Sequence, residues 1–340
     1  MNLDPIRWGI LGAGHIAGKW ASDLAQVPGA ILQAVWARVP AKAEAFAGMH
    51  GASRVSNSVV DLLGHGDLDV VYVATPHGRH LPDTLACLEA GIPVLCEKAF
   101  ALDAMQAHQM VRTARTRGIF LMEALWTRFL PCFQTAKELV ESGEIGRILS
   151  VRSDFGFQAP YDPTRRLWDP AMGGGALLDI GLYPLFFARE FLGPFRSFDV
   201  SWVAAPNGVD REIRVTGVHD HDSRSDSFAT FDAVTPCECE LVGERGTLRF
   251  ERMFHTQTNL TLVDKHGSSK SFPANPRGHG YGFEIEHVGN CLRDGLTESP
   301  LWPLDRTLNQ MELLDSILST LRGTPSRLSW LDPRSLRTEA

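Results

Sequence analysis

Residues 6–20 constrain this chain more than any other stretch. Ile6 to Leu11 form a short apolar run that reads as a buried strand. The run stops at Gly12-Ala13-Gly14, and apolar residues then recur at helical spacing at Ile16, Trp20 and Leu24. The spacing is G-x-G-x-x-A. Gly12 permits a tight turn, Gly14 lets the backbone approach a pyrophosphate, and Ala17 lets the helix pack close to the strand. The helix N-terminus then offers unpaired N–H groups and a partial positive charge to phosphates. Strand, glycine turn and helix, with a second strand at the expected distance, predict a dinucleotide-binding unit. Gly12, Gly14, His15 and Ile16 are its first cofactor contacts, although His15 reads equally as a turn cap.

A chain of 340 residues is long enough for two domains. Its net charge of −7 argues against an electrostatic nucleic-acid binder. No run of eighteen apolar residues stands in the sequence, and the N-terminus lacks a charged region followed by an apolar one. The expectation is a cytoplasmic enzyme with no membrane partner. The six cysteines are scattered. Cys237 and Cys239 would share one face of a strand, and nothing nearby completes a metal set, so core thiols are expected and no metal.

The second strand, Ala30 to Ala37, ends where an adenosine ribose is expected. A carboxylate there selects NAD. This chain has Ala37-Arg38-Val39-Pro40 instead, and Arg38 suits a 2′-phosphate, which favours NADP and leaves NAD possible. The competing reading is a solvated arginine. A fourth strand, Val70 to Ala74, opens into a loop, Thr75-Pro76-His77-Gly78-Arg79-His80, followed by a helix from Leu81 to Ala90. A fifth, Ile92 to Cys96, delivers Glu97-Lys98-Ala99. Ligands of open α/β sheets lie beyond the carboxyl ends of strands, so Thr75, Pro76, His77, His80, Glu97 and Lys98 should face the cofactor. A boundary is expected near Glu123 to Arg128. It gives a nucleotide-binding domain over 1–124, a substrate and oligomerisation domain over 125–330, and a loose tail over 331–340. Consecutive strands after Ile148 predict a large, mainly antiparallel sheet, interrupted by a helix over Gly175 to Phe191.

Asp179 and Tyr183 stand four apart behind Gly173-Gly174-Gly175, which puts both on one helical face. Removing hydride from a carbinol requires a base for the hydroxyl proton. Tyrosine, with a pKa of ~10, serves only when a nearby cation lowers it. Lys98 suits that task, with Asp179 orienting the lysine or a substrate hydroxyl. From residue types alone, an exposed carboxylate and a packed aromatic fit Asp179 and Tyr183 equally well.

Gly12-x-Gly14-x-x-Ala17, Thr75-Pro76-x-x-x-His80, Cys96-Glu97-Lys98 and Asp179-x-x-x-Tyr183 occur in an order that resembles the Gfo/Idh/MocA oxidoreductases over Ile6 to about Leu321. Phe120 to Phe129, Gly174 to Gly181, and the late Glu284-x-Glu286-His287 and Glu298-Ser299-Pro300 stretches are most similar to the dihydrodiol dehydrogenase and NADP-dependent D-xylose dehydrogenase branch. The resemblance implies a Rossmann domain joined to an open-faced sheet that often mediates dimers. It also implies Lys98 and Tyr183 as the catalytic pair, Asp179 as its orienting group, and Trp126 and Arg128 beside the site. The family usually carries Glu-Lys-Pro. Ala99 in place of the proline removes a fixed φ and predicts a looser lysine.

Arg166 and Trp168 precede the glycine run and are expected to line the substrate cleft, surface packing being the alternative. His279 and Tyr281 suggest a mobile loop, and His219-Asp220-His221-Asp222 reads as a polar turn rather than a metal site. The expected activity is NADP-dependent oxidation of a cyclic polyol, either an aldose such as D-xylose at C1 or a trans-dihydrodiol. A cofactor-binding sensor and an NAD-dependent elimination enzyme remain the alternatives.

Overall fold

The computed structural model describes residues 4–321 and 323, so the expected tail over 331–340 lies outside the described residues. Two compact units divide the chain: residues 1–130 with 275–311, and residues 131–274 with the segment from 312 onward. The sequence-based domains are contiguous. Here residues 275–311 return to the first unit instead.

The first unit alternates strand and helix: β1 (Ile6–Leu11), α1 (His15–Leu24), β2 (Ala30–Trp36), α2 (Pro40–His50), β3 (Arg54–Val55), α3 (Val59–Gly64), β4 (Val70–Val73), α4 (His77–Glu89), β5 (Val94–Glu97), α5 (Ala104–Arg117) and β6 (Leu121–Ala124). The six strands are parallel in the order β3-β2-β1-β4-β5-β6. Every residue of β4, β5 and β6 is buried, as a parallel sheet covered on both faces requires. The order reverses between β1 and β4, which opens a crevice at their carboxyl ends. Local signals set the helix ends. Ser58 caps α3, Asp103 caps α5, and Gly118 closes α5 in a left-handed conformation.

One element differs from expectation. The helix after β4 begins at His77 rather than Leu81. Pro76 stands at the N-cap with φ −61°, preset for helix entry. Pro82 lies inside the helix, which runs on through it to Glu89. His77 and His80 are therefore on the first helical turn.

The second unit begins with α6 (Pro131–Glu141) and carries eight strands: β7 (Ile148–Gly156), β8 (Ser197–Ala204), β9 (Asp210–Val218), β10 (Arg224–Thr230), β11 (Cys239–Gly243), β12 (Gly246–Phe250), β13 (Leu260–Asp264) and β14 (Ser269–Phe272). Their order is β14-β13-β12-β11-β7-β10-β9-β8, and only β7 and β10 pair in parallel. The polar β14 carries no apolar pattern and escapes a sequence reading. A π-helical turn, Leu177–Gly181, runs into α7 (Leu182–Leu192). This apolar segment is largely buried within the unit. Its Phe187 packs edge-on against Phe133, Phe250 and Phe254 at ring distances of 5.3, 4.9 and 4.9 Å. Elsewhere on the sheet, Asp226 pairs with Arg214 at 2.6 Å and Arg249 with Glu240 at 2.6 Å.

Cys237 precedes β11 with φ +57° instead of sharing a strand face with Cys239, and both thiols are buried. His219 is fully buried and bonds Gly193 O at 2.9 Å and Ser225 Oγ at 2.9 Å. α8 (Gly282–Arg293) and the start of α9 (Leu304–Leu321) complete the first unit.

Candidate active site

The nucleotide end of the first unit is built by β1 and α1. Gly12 has φ +103°, and a Cβ there would lie 2.7 Å from Ala74 O, so only glycine lets β1 leave the sheet beside β4. Gly14 caps α1, and a Cβ there would meet nothing within 4 Å. The helix therefore starts against open space, as a pyrophosphate seat requires. His15 and Ile16 are exposed beside it. At the end of β2, Ala37 is buried and Arg38 exposed. Arg38 has no hydrogen bond or ion pair among the described residues, which leaves its guanidinium available to an anion. These residues fit a dinucleotide.

Lys98 follows β5 and is half-buried. Its turn is held from α4. His77 Nε2 lies 3.2 Å from Lys98 O, and His80 Nδ1 lies 3.0 Å from Ala99 O and 3.3 Å from Phe100 O. His80 Nε2 also lies 2.8 Å from Thr75 O, so its ring joins the ends of β4 and β5. Burial lowers the His80 pKa, while the surrounding carbonyls of Thr75, Phe100 and Ala99 act to raise it. Thr75 Oγ1 donates to Asp83 at 2.8 Å, and Pro76 is exposed at the helix start. The Lys98–Ala99 peptide is cis. Ala99, where the family usually carries proline, lies in a turn whose carbonyls face His77 and His80. Glu97 is buried and turned inward: it accepts from Tyr72 Oη and, at 3.0 Å, from the Lys98 N–H.

Trp126 lies in a 3-10 turn after β6, with Arg128 beside it. Its indole stacks on Tyr281 at 4.4 Å and 14°. The loop carrying Tyr281 is hydrogen-bonded to α1. Asp23 of α1 accepts the N–H groups of His279, Gly280 and Tyr281 at 2.8–2.9 Å.

In the second unit, Asp179 is on the π-helical turn and Tyr183 in the first turn of α7, both buried. Arg166 Nη1 donates to Asp179 Oδ1 at 2.9 Å. The expected cleft residue Arg166 is thus the partner of the expected orienting carboxylate. Trp168 is only 2% exposed, and its Nε1 donates to Pro160 O at 3.1 Å. The structure makes it a packing residue, stacked edge-on against Phe231 at 5.3 Å. The Tyr183 ring lies 4.9 Å from His255 and 6.0 Å from Phe155.

The glycine run has a specific cause. Gly175 has φ +124°, and a Cβ there would overlap Asp210 Oδ1. Asp210, buried on β9, accepts the Leu177 N–H at 2.6 Å and so caps the helical segment that carries Asp179 and Tyr183. Burial pushes its carboxyl up to about 7. Asp210, His255 and Phe155 carry no motif. Only the glycine run hints at the first, because a close neighbour is what glycine permits.

The chain matches two family profiles: "Oxidoreductase family, NAD-binding Rossmann fold" over residues 6–125 and "GFO/IDH/MocA C-terminal domain" over residues 133–249. It is 33% identical over 329 residues to the trans-1,2-dihydrobenzene-1,2-diol dehydrogenase of Mus musculus, covering 93% of this chain and 96% of that one. The Homo sapiens protein of the same name is 32% identical over the same shares. Among solved structures, KijD10, a 3-ketoreductase from Actinomadura kijaniata in complex with NADP and TDP-benzene, superposes with a TM-score of 0.81 at 26% identity. It covers 93% of this chain and 98% of that one.

Proposed function

Because the chain belongs to the Gfo/Idh/MocA oxidoreductase family and is an NAD(P)-dependent dehydrogenase acting on CH–OH groups, we propose that it oxidises a trans-dihydrodiol with NADP as acceptor. The observation that carries this reading is the Lys98 turn. A lysine at the carboxyl end of a parallel sheet is held by two histidines beside an open nucleotide seat.

Gly12, Gly14 and the α1 N-terminus hold the pyrophosphate, and Arg38 pairs with the 2′-phosphate. When bound, the oxidised nicotinamide supplies the hydride acceptor. Tyr183 Oη takes the proton of the carbinol hydroxyl, and the Lys98 ammonium stabilises the tyrosinate form. Arg166 holds Asp179 so that its carboxylate faces one direction. Phe155 and His255, with rings tilted about 40° against Tyr183, make its surroundings aromatic, which suits an arene ring. An aldopyranose, whose apolar face suits the same surroundings, is the second reading. The charged, internally paired sheet of the second unit is proposed to pair two copies, which sedimentation tests.

The test is NADP⁺ and NAD⁺ reduction followed by absorbance across dihydrodiols, aldoses and inositols, with Tyr183→Phe and Lys98→Ala in parallel. Turnover of dihydrodiol that prefers NADP⁺ and is lost in both variants supports the reading. Turnover of aldose alone moves the substrate to the second reading. Tight cofactor binding without net turnover of any substrate overturns the dehydrogenase mechanism in favour of a sensor or an elimination enzyme.

A further inference from the structure

Behind the Lys98 turn lies a buried polar cluster that the proposed chemistry does not use. Tyr72, fully buried on β4, donates to Glu97 Oε1. Glu97 Oε2 accepts the Lys98 N–H at 3.0 Å, so both carboxyl oxygens take a donor. Trp20 of α1 lies flat on Tyr72 at 4.2 Å and 14°, and Trp8 of β1 meets Trp20 edge-on at 4.9 Å, which closes the cluster to water. Glu284 of α8 is also fully buried. Among the described residues no well-aligned hydrogen bond reaches its oxygens, and the indole N–H of Trp20 is the donor that faces it.

A buried carboxylate without a donor is costly, and two neighbouring buried carboxyls cannot both ionise cheaply. The donors decide which one carries the charge: two well-aligned donors converge on Glu97, against the single Trp20 N–H that faces Glu284. Burial, then the charge of Glu97, pushes Glu284 toward its protonated form. Burial and the same charge keep Tyr72 protonated and therefore a donor. The other ionisable groups around Glu97 are Cys96 beside it, Glu123 from β6, Tyr281 from the loop before α8 and, beyond Glu284, Asp23 on α1.

We propose that Tyr72 is a positioning residue for Lys98: it holds Glu97 as the cluster's carboxylate, with Glu284 a neutral acid, and Glu97 in turn grips the peptide that carries the lysine. This rests on the reading of Lys98 as the cation that tunes Tyr183. A charge-assisted bond to the Lys98 N–H is about twice as strong as a neutral one, so protonating Glu97 loosens the lysine from below.

Tyr72→Phe deletes one donor and leaves the packing. Its kcat is expected to fall about tenfold, with the acid limb of the pH–kcat profile moved up by about one to two pH units, the worth of one hydrogen bond to a charged group. The NADP⁺ dissociation constant from fluorescence titration should stay within about twofold, because the seat at Gly14 and Arg38 is separate. Glu284→Gln swaps one neutral side chain for another. It should leave the acid limb in place and remove a protonated-carboxyl band from the infrared spectrum at pH 7. A wild-type pH profile in Tyr72→Phe, or no lost band in Glu284→Gln, overturns the proposal. Full activity in Lys98→Ala or Tyr183→Phe overturns the acid/base reading instead, and the infrared result still reports on the cluster.

Discussion

The two side chains proposed to carry the chemistry, Lys98 and Tyr183, are held in opposite ways. Lys98 stands at a strand end, and its clamps come from neighbouring sequence: Glu97 next to it and His77 and His80 on the preceding helix. Tyr183 depends on distant residues. Asp210 caps its helical segment from 33 positions beyond Leu177, and His255 packs against its ring from another strand connection. The first arrangement is a local device of the parallel βαβ unit. The second is assembled by a sheet whose strands pair far apart in sequence, so its geometry depends on the whole unit folding.

The largest expected effect tests whether the distant arrangement carries chemistry at all. Tyr183→Phe should lower kcat by about 10²- to 10⁴-fold with cofactor binding intact, the usual worth of an acid/base group. Unchanged turnover would leave Lys98 alone and break the comparison. Next is the Asp210 cap. Its carboxyl sits at about 7 in the folded chain, above the usual aspartate range. The folded state therefore holds the extra proton between about pH 4 and pH 7, and stability falls as pH rises through that window, by up to roughly 4 kcal/mol. Asp210→Asn should flatten that slope in urea titrations. A slope that persists assigns it elsewhere, to Glu123 at about 7 or to Glu284, whose carboxyl burial also pushes up.

On the nucleotide side, Arg38→Glu should weaken NADP⁺ about a hundredfold while NAD⁺ binding barely moves, since only the former carries the 2′-phosphate. Equal losses would show that Arg38 does not read that phosphate. Glycine substitutions sharpen the contrast further. Gly175→Ala, at φ +124° and against Asp210, should cost about 1–3 kcal/mol of stability in thermal melts. Gly14→Ala, facing open space at φ −90°, should leave the melt unchanged and weaken the dinucleotide only. The smallest effect belongs to Arg166→Ala. Its pair with Asp179 is half exposed at the arginine and is worth about 0–1 kcal/mol of stability. A change in substrate KM without a change in Tm would mark it as a positioning group.

The strand–turn–helix at Gly12, the strands ending at Thr75 and Lys98, and the helix bearing Asp179 and Tyr183 all follow from apolar periodicity and glycine placement. Those signals are local, and a parallel sheet repeats them in order. His77 and His80 were visible as residue types, but they read as part of the loop after Thr75, not as the first turn of the helix that aims them. Trp168 was misplaced for a different reason. An aromatic beside arginines reads as a wall, and only the fold shows it sealed under Phe231. Tyr72 and Asp23 gave no signal, and Glu284 entered only through the family resemblance, because a buried polar residue is indistinguishable in sequence from an exposed one.

By itself the sequence determined the nucleotide-binding class of the first unit and the sheet-rich second unit. Periodicity and glycine spacing encode those, since backbone geometry is set within a few residues. Tertiary structure alone decided the return of residues 275–311 to the first unit, the pairing of Arg166 with Asp179, and which buried carboxyls find donors. Those depend on contacts between residues far apart in the chain, where desolvation and hydrogen-bond geometry, not local propensity, fix what each charge meets.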